Sequence, residues 1–172
     1  DDTQFYYAFD VDVAVDGTGA IWAVWYGEAV EGEYGFFRQV STDNGVSWSA
    51  PQYLWEGFYP SIDRTVDGLV LSWNESECFG NLLYGCNADV MYATSNDDGA
   101  TWSPPVPYTN FDGFDYRSSV AGLSGGGFGL AWYSNRRHSS PEFTEDSTIW
   151  FGNPALHQDI APPPLVARRE HF

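Results

Sequence analysis

The sequence predicts an all-β chain of about three four-stranded antiparallel sheets, the blades of a β-propeller, forming a partial propeller or half of an oligomeric ring. Three observations carry this. Apolar and polar residues alternate with period two in short runs broken by glycine-rich turns, the pattern of hairpins and not of helices. The same order of runs occurs three times. An eight-residue phrase, STDNGVSW at 41–48, also returns as SNDDGATW at 95–102. Repeats of roughly 50 residues with four strands each have the size of propeller blades.

In the first repeat, AFDVDVAVDGTGAIWAVWYG alternates Val11, Val13 and Val15, turns at Asp16–Gly19, and resumes with Ile21, Ala23 and Trp25. YPSIDRTVDGLVLSWNES repeats this order, with Asp67-Gly68 as the turn and Trp73 in the place of Trp25. YRSSVAGLSGGGFGLAWYSN does so again, turning at Gly125–Gly127 and ending on Trp132. After a longer polar loop each repeat has a third strand: GFFRQVST, DVMYATSN and STIWFGNP. In the first two repeats the phrase then leads into a fourth strand, WSAPQYLW or WSPPVPYT. The third repeat lacks the phrase, so FGNPALHQDIAPPPL is expected as a degenerate last strand or an exit arm. The blades are placed at about 8–55, 56–110 and 111–156, followed by a Pro-rich strand or tail at 157–172. Pro162–Pro164 make that tail stiff and extended.

The repeated phrase reads as a hairpin device. Gly45 and Gly99 supply a positive φ. Asp43 and Asp97 accept backbone N–H groups inside the turn. Trp48 and Trp102 are expected to lay their rings against their own hairpins. The spelling S-x-D-x-G-x-[ST]-W resembles the Asp-box, the bacterial neuraminidase repeat of sialidase-type propellers and of many propellers that are not sialidases. The resemblance covers nearly the whole chain for fold and far less for activity. It implies a structural role for Ser41, Asp43, Gly45 and Trp48, and for Ser95, Asp97, Gly99 and Trp102, on the face turned away from a ligand site. A cation held by the box carboxylates is the alternative.

Composition limits the partners. The 172 residues include seven Arg and no Lys against 24 acidic residues, a net charge of -17. Such a field repels nucleic acid and anionic membrane. No run of eighteen apolar residues is present, so no membrane-spanning helix is expected. The chain opens on Asp1-Asp2 without a hydrophobic leader, as after removal of a signal peptide or in an excised segment. Cys78 and Cys86 share one loop and are expected to form a disulfide contributing roughly 2–3 kcal/mol, with two free thiols as the alternative. With the sequon at Asn74 they point to an extracellular or cell-surface setting.

If the boxes mark the closed face, the long loops and the blade-to-blade crossings mark the working face. There Trp55, Tyr59, Tyr116, Arg117, Arg136 and Arg137 are the candidate ligand-binding residues. Aromatic rings stack on the apolar faces of sugars while charged groups bond hydroxyls. The plainer alternatives are that Phe58 and Tyr116 pack between blades, and that Arg136-Arg137-His138 is a solvated loop pairing with Glu142 and Glu145. A sialidase-like mechanism, as the resemblance implies it, needs three Arg, a Tyr activated by Glu, and an Asp acid. The Arg-Ile-Pro motif is absent, Arg38 is expected to point outward, and Arg64 lies near a turn of the closed face. No catalytic residue is assigned. No His/Cys metal pattern or phosphate loop is present; calcium at the acidic stretch Asp10–Asp16 is the one cofactor considered, without EF-hand spacing.

The expected function is an extracellular, non-catalytic Asp-box propeller module that binds glycan or protein or mediates assembly. The alternatives are part of a sialidase-like glycoside hydrolase and a structural subunit of a surface filament or layer. Three blades do not close a ring, so self-association or further blades of a longer chain are expected.

Overall fold

The computed structural model describes residues 5–30, 32–76, 87–111, 113–136, 148–154 and 158–160. The described residues contain no helix and form three four-stranded antiparallel sheets, as the alternation predicts. The first sheet has β1 (Phe5–Val15), β2 (Ile21–Ala29), β3 (Tyr34–Ser41) and β4 (Gln52–Trp55) in that spatial order. The second has β5 (Phe58–Thr65), β6 (Gly68–Ser76), β7 (Ala88–Ser95) and β8 (Val106–Pro107). The third has β9 (Asp115–Gly122), β10 (Phe128–Ser134), β11 (Thr148–Asn153) and β12 (Gln158–Ile160).

The fourth strands are shorter than the sequence suggests. Trp48–Pro51 and Trp102–Pro105 stay outside β4 and β8 because prolines 51, 104 and 105 have no N–H to give to a ladder. β12 pairs with β11 through Phe151–Ile160, so the third repeat closes on a degenerate strand drawn from the C-terminal segment and not on an exit arm.

The sheets stand face to face like vanes. On the first contact Trp22, Val24 and Phe36 meet Ile62, Leu71 and Trp73, all buried. On the second, Val70 and Val90 meet Val120, Leu130 and Trp132. Each fully buried large side chain contributes about 1.5–3 kcal/mol. The inner strands β1, β5 and β9 are tied sideways by polar groups. The Asp12 carboxylate accepts from Ser61 Oγ at 2.9 Å and from the Ile62 amide at 3.0 Å. The Asp63 carboxylate takes the Gly122 amide at 2.8 Å.

Both repeated phrases fold alike. Gly45 N donates to Ser41 Oγ and Gly99 N to Ser95 Oγ, each at 2.8 Å. Asp43 accepts the Ser47 amide and Asp97 the Thr101 amide, again at 2.8 Å. Gly45 and Gly99 have φ of 85° and 80°. Hydrogen bonds from Ser47 and Thr101 hold both carboxyls below the usual range. The two tryptophans differ in their surroundings. Trp102 packs on the core cluster of the first two sheets and lies edge-on to Trp22 and Trp55 at 6.1 and 6.2 Å, in the seam between them. Trp48, in the same slot of the first sheet, is 41% exposed.

Two other readings change. Asn74 is fully buried, and its Nδ2 donates to the carbonyls of Asp89 and Asp115. That nitrogen leaves no room for a glycan on the folded chain. Arg38 does not point outward; its guanidinium lies 4.6 Å over the Trp22 ring, and desolvation lowers its pKa. Cys78 and Cys86 lie outside the described residues.

A Cβ on Gly99 would fall 2.1 Å from the Trp22 ring, whereas one on Gly45 would meet nothing within 4 Å. Gly45→Ala should therefore cost about 1 kcal/mol of backbone strain alone. Gly99→Ala should cost about 1–3 kcal/mol more from overpacking, read from urea unfolding midpoints. The depressed box carboxyls stabilise the fold above their unfolded pKa, near 3.9, and that stability is lost as pH falls through their folded values. A double variant Asp43→Asn, Asp97→Asn should melt lower than the parent near neutral pH and converge with it in acid.

Candidate functional site

The inner strand of every sheet carries a bulge at the same place, and β1 has a second shift between Phe5 and Tyr7. Pairing with the second strand breaks between Phe9 and Asp12, between Phe58 and Ser61, and between the Tyr116 and Ser119 pairs. One residue in each break is left-handed and is not glycine: Asp10 at φ 54°, Tyr59 at 55° and Arg117 at 52°. Such a conformation costs an L-residue about 1–2 kcal/mol. Bulges of this kind re-aim side chains. Here they gather a carboxyl, a phenol and a guanidinium from three successive sheets.

The three groups interact. Arg117 Cζ lies 4.9 Å over the Tyr59 ring. The hydrogen bond to Tyr59, and then the charge interaction with it, raise the Arg117 pKa. Desolvation raises the carboxyl of Asp10, and the Arg117 charge partly offsets this. Tyr116 adds a ring 6.5 Å from Tyr59, and Tyr133 lies 5.8 Å from Tyr116. Tyr116 also packs against Ala88 and Phe114, so the expectation that it wedges between blades holds alongside its place at the site. The bulges lie toward the end of the sheets that carries the second-to-third-strand connections, away from the phrases at 41–48 and 95–102.

Of the six residues the sequence nominated, Tyr59, Tyr116 and Arg117 come together. Trp55 does not join them. Its ring stacks on Trp73 at 5.2 Å with 2° between planes, inside the first seam. Arg136 is withdrawn as well. It makes an ion pair of 2.5 Å with the fully buried Asp115 and lies over the rings of Trp150, Phe111 and Trp132 at 5.1, 5.3 and 5.9 Å. Burial raises the Asp115 carboxyl, and the Arg136 bond opposes it. This pair is structural and does not form the solvated loop expected of it. Arg137 lies outside the described residues.

Sequence reasoning missed Asp10 as a partner of Tyr59 and Arg117, taking it as part of an acidic stretch. The stretch is three separate devices. Asp10 is the bulge residue and Asp12 ties β1 to β5. Asp16 is buried, yet the bonds it accepts from Thr18, Trp22 Nε1 and the Ala20 amide lower its pKa against the desolvation. No group of three or more His, Cys, Asp or Glu that could hold a metal occurs among the described residues. No described helix is long and apolar enough to cross a membrane.

A solved structure similar to this chain is a Hadza microbial sialidase, with a TM-score of 0.59 at 15% identity, over 88% of this chain and 36% of that one. A protein of unknown function from Dyadobacter fermentans DSM 18053 is also similar, with a TM-score of 0.57 at 16% identity, over 86% of this chain and 48% of its own. These likenesses show the fold. The chain spans between a third and a half of the length of these structures. No family model matches the chain, and no curated protein matches it in sequence.

Asp115→Ala removes the buried carboxylate of the ion pair with Arg136 and should cost about 3–5 kcal/mol. Arg117→Gly relieves a left-handed side chain and should leave stability within about 1 kcal/mol of the parent. Thermal melts of the two variants check this, and unfolding of Arg117→Gly would make that arginine structural.

Proposed function

We propose that this chain is a non-catalytic propeller module that binds a neutral glycan across its inner-strand bulges, in an extracellular or cell-surface setting. One observation carries the reading: Asp10, Tyr59 and Arg117 converge from three sheets, each held in a backbone conformation that folding alone does not favour. Strained positions of this kind are characteristic of binding sites. The Tyr59, Tyr116 and Tyr133 rings suit the apolar face of a pyranose, and the flanking carboxyl and guanidinium suit its hydroxyls. A chain of net charge -17 works against an anionic sugar. The extracellular setting rests on the expectation for Cys78 and Cys86. Assembly with further blades belongs to the same reading, and an extracellular protein is the other ligand class it admits.

A second reading, part of a sialidase-like glycoside hydrolase, draws on the Hadza microbial sialidase among the similar structures. Of the described arginines, Arg38 and Arg136 are engaged with rings and Asp115, and Arg64 follows Asp63 toward the β5–β6 turn. Arg117 alone of these four stands at the bulges, where a carboxylate-binding cluster of three would be needed.

A glycan array and a fluorogenic sialoside assay separate the readings. The module should retain neutral glycans, lose them in Arg117→Ala and Tyr59→Ala, and turn over no sialoside. Sialoside hydrolysis abolished by Arg117→Ala would replace the first reading with the second.

A further inference from the structure

The seam between the first and second sheets has a specific joint, and the chain carries an unused copy of both its halves. One half is a box hairpin. The Asp98 carboxylate accepts the Gly17 amide at 2.9 Å, Gly99 lies against the Trp22 ring, and Trp102 meets that ring edge-on. The other half is the five-residue turn 16–20 that presents Gly17. It is closed by Asp16 N to Ala20 O at 3.0 Å and Gly19 N to Asp16 O at 3.2 Å, with Gly19 at φ 91°.

The first sheet has the same box hairpin at 41–48, with none of the described residues seated on it. Gly45 faces open space and Trp48 is exposed. The third sheet has the same turn at 123–127. It is closed by Leu123 N to Gly127 O at 3.1 Å and Gly126 N to Leu123 O at 3.0 Å, with Gly126 at φ 96°. Ser124 there stands where Gly17 stands. The seam between the second and third sheets has neither half. The second sheet's inner turn is the two-residue Val66-Asp67 between paired Thr65 and Gly68, and the third sheet has no phrase in its short link at 154–157. The chain therefore holds two box hairpins and two receiving turns, with one pair joined inside it.

The flanks agree. Three residues beyond each bulge residue stand Val13, Ile62 and Val120. Ile62 and Val120 are 3% and 6% exposed against the preceding sheet, while Val13 is 59% exposed. Beside Val13, Phe5, Trp25, Trp48 and Pro51 line a hollow of about 760 Å³. The outward flank of the third sheet is small at its centre, with Gly129 and Ala131, and apolar at its rim, with Tyr133, Ile149 and Phe151. Rings line the hollow on one flank, and the centre of the other flank is small. In the unused box Asn44 replaces Asp98, which spares two strongly acidic copies a further charge at the joint.

We propose that a second copy of this chain covers the first sheet, its 123–127 turn seated on the 41–48 box, and that the reciprocal contact closes a two-fold ring of six sheets. Six lies within the range of closed propellers, and such a head-to-tail contact ends in a ring when the rotation closes. The proposal stands on the seam geometry, so loss of glycan binding leaves it intact.

Sedimentation of the 172-residue chain, in about 1 M salt where the Debye length is about 3 Å, should give twice its 19.2 kDa. Trp48→Asp should give a folded single copy, with the near-ultraviolet spectrum of Trp102 and Trp22 kept. Mixing Asn44→Cys with Ser124→Cys chains should produce a disulfide between the two variants. A single copy for the parent at the highest soluble concentration, a disulfide formed within Asn44→Cys alone, or growth into open polymers would each overturn the proposal.

Discussion

The joint in which Asp98 takes the Gly17 amide while Trp102 meets Trp22 edge-on turns separate meanders into one body. A four-stranded sheet has two faces to bury and cannot bury either by itself. Here each seam is filled from both sides by buried residues, and the first is also fixed in register by a carboxylate and an indole that reach across it. The inner strands add a second tie, through Asp12 to Ser61 and Asp63 to Gly122. With rotation and sliding both blocked, the inner strands hold a constant offset from one sheet to the next.

That constant offset is what brings the proposed site together. Asp10, Tyr59 and Arg117 meet because their bulges recur at one height on three inner strands. Glycine would relieve each position, yet none of the three is glycine. The buried Asp115–Arg136 pair shows the opposite use of the same residue types. There the carboxylate is desolvated and the guanidinium is enclosed by rings, so the charges serve packing. Exposure and backbone strain, not residue type, separate the two roles.

The hairpins were legible in the sequence because their hydrogen bonds join residues two to four apart, as Ser41, Asp43 and Gly45 do. The strands followed from alternation, and the third repeat kept its four-strand plan even where its last strand shrank to three residues. What lay hidden was set by partners far along the chain. Trp102 leans on a ring eighty positions away, Asn74 is consumed by carbonyls of β7 and β9, and Arg136 folds back to Asp115. Nothing local distinguishes a sequon that faces water from one that is buried. The bulges were equally silent, because the sequence signal for a left-handed residue is glycine, and these positions hold Asp, Tyr and Arg.

The claim on which the rest depends is that the seam is held by direct contact between rings of neighbouring sheets. A double-mutant cycle on Trp22→Ala and Trp102→Ala, measured by urea unfolding, tests it most directly. Contact across the seam predicts a coupling of about 0.5–1.5 kcal/mol between the two positions. Strictly additive losses would mean that the rings stabilise their own sheets separately, and the stacked-vane account would fail with them.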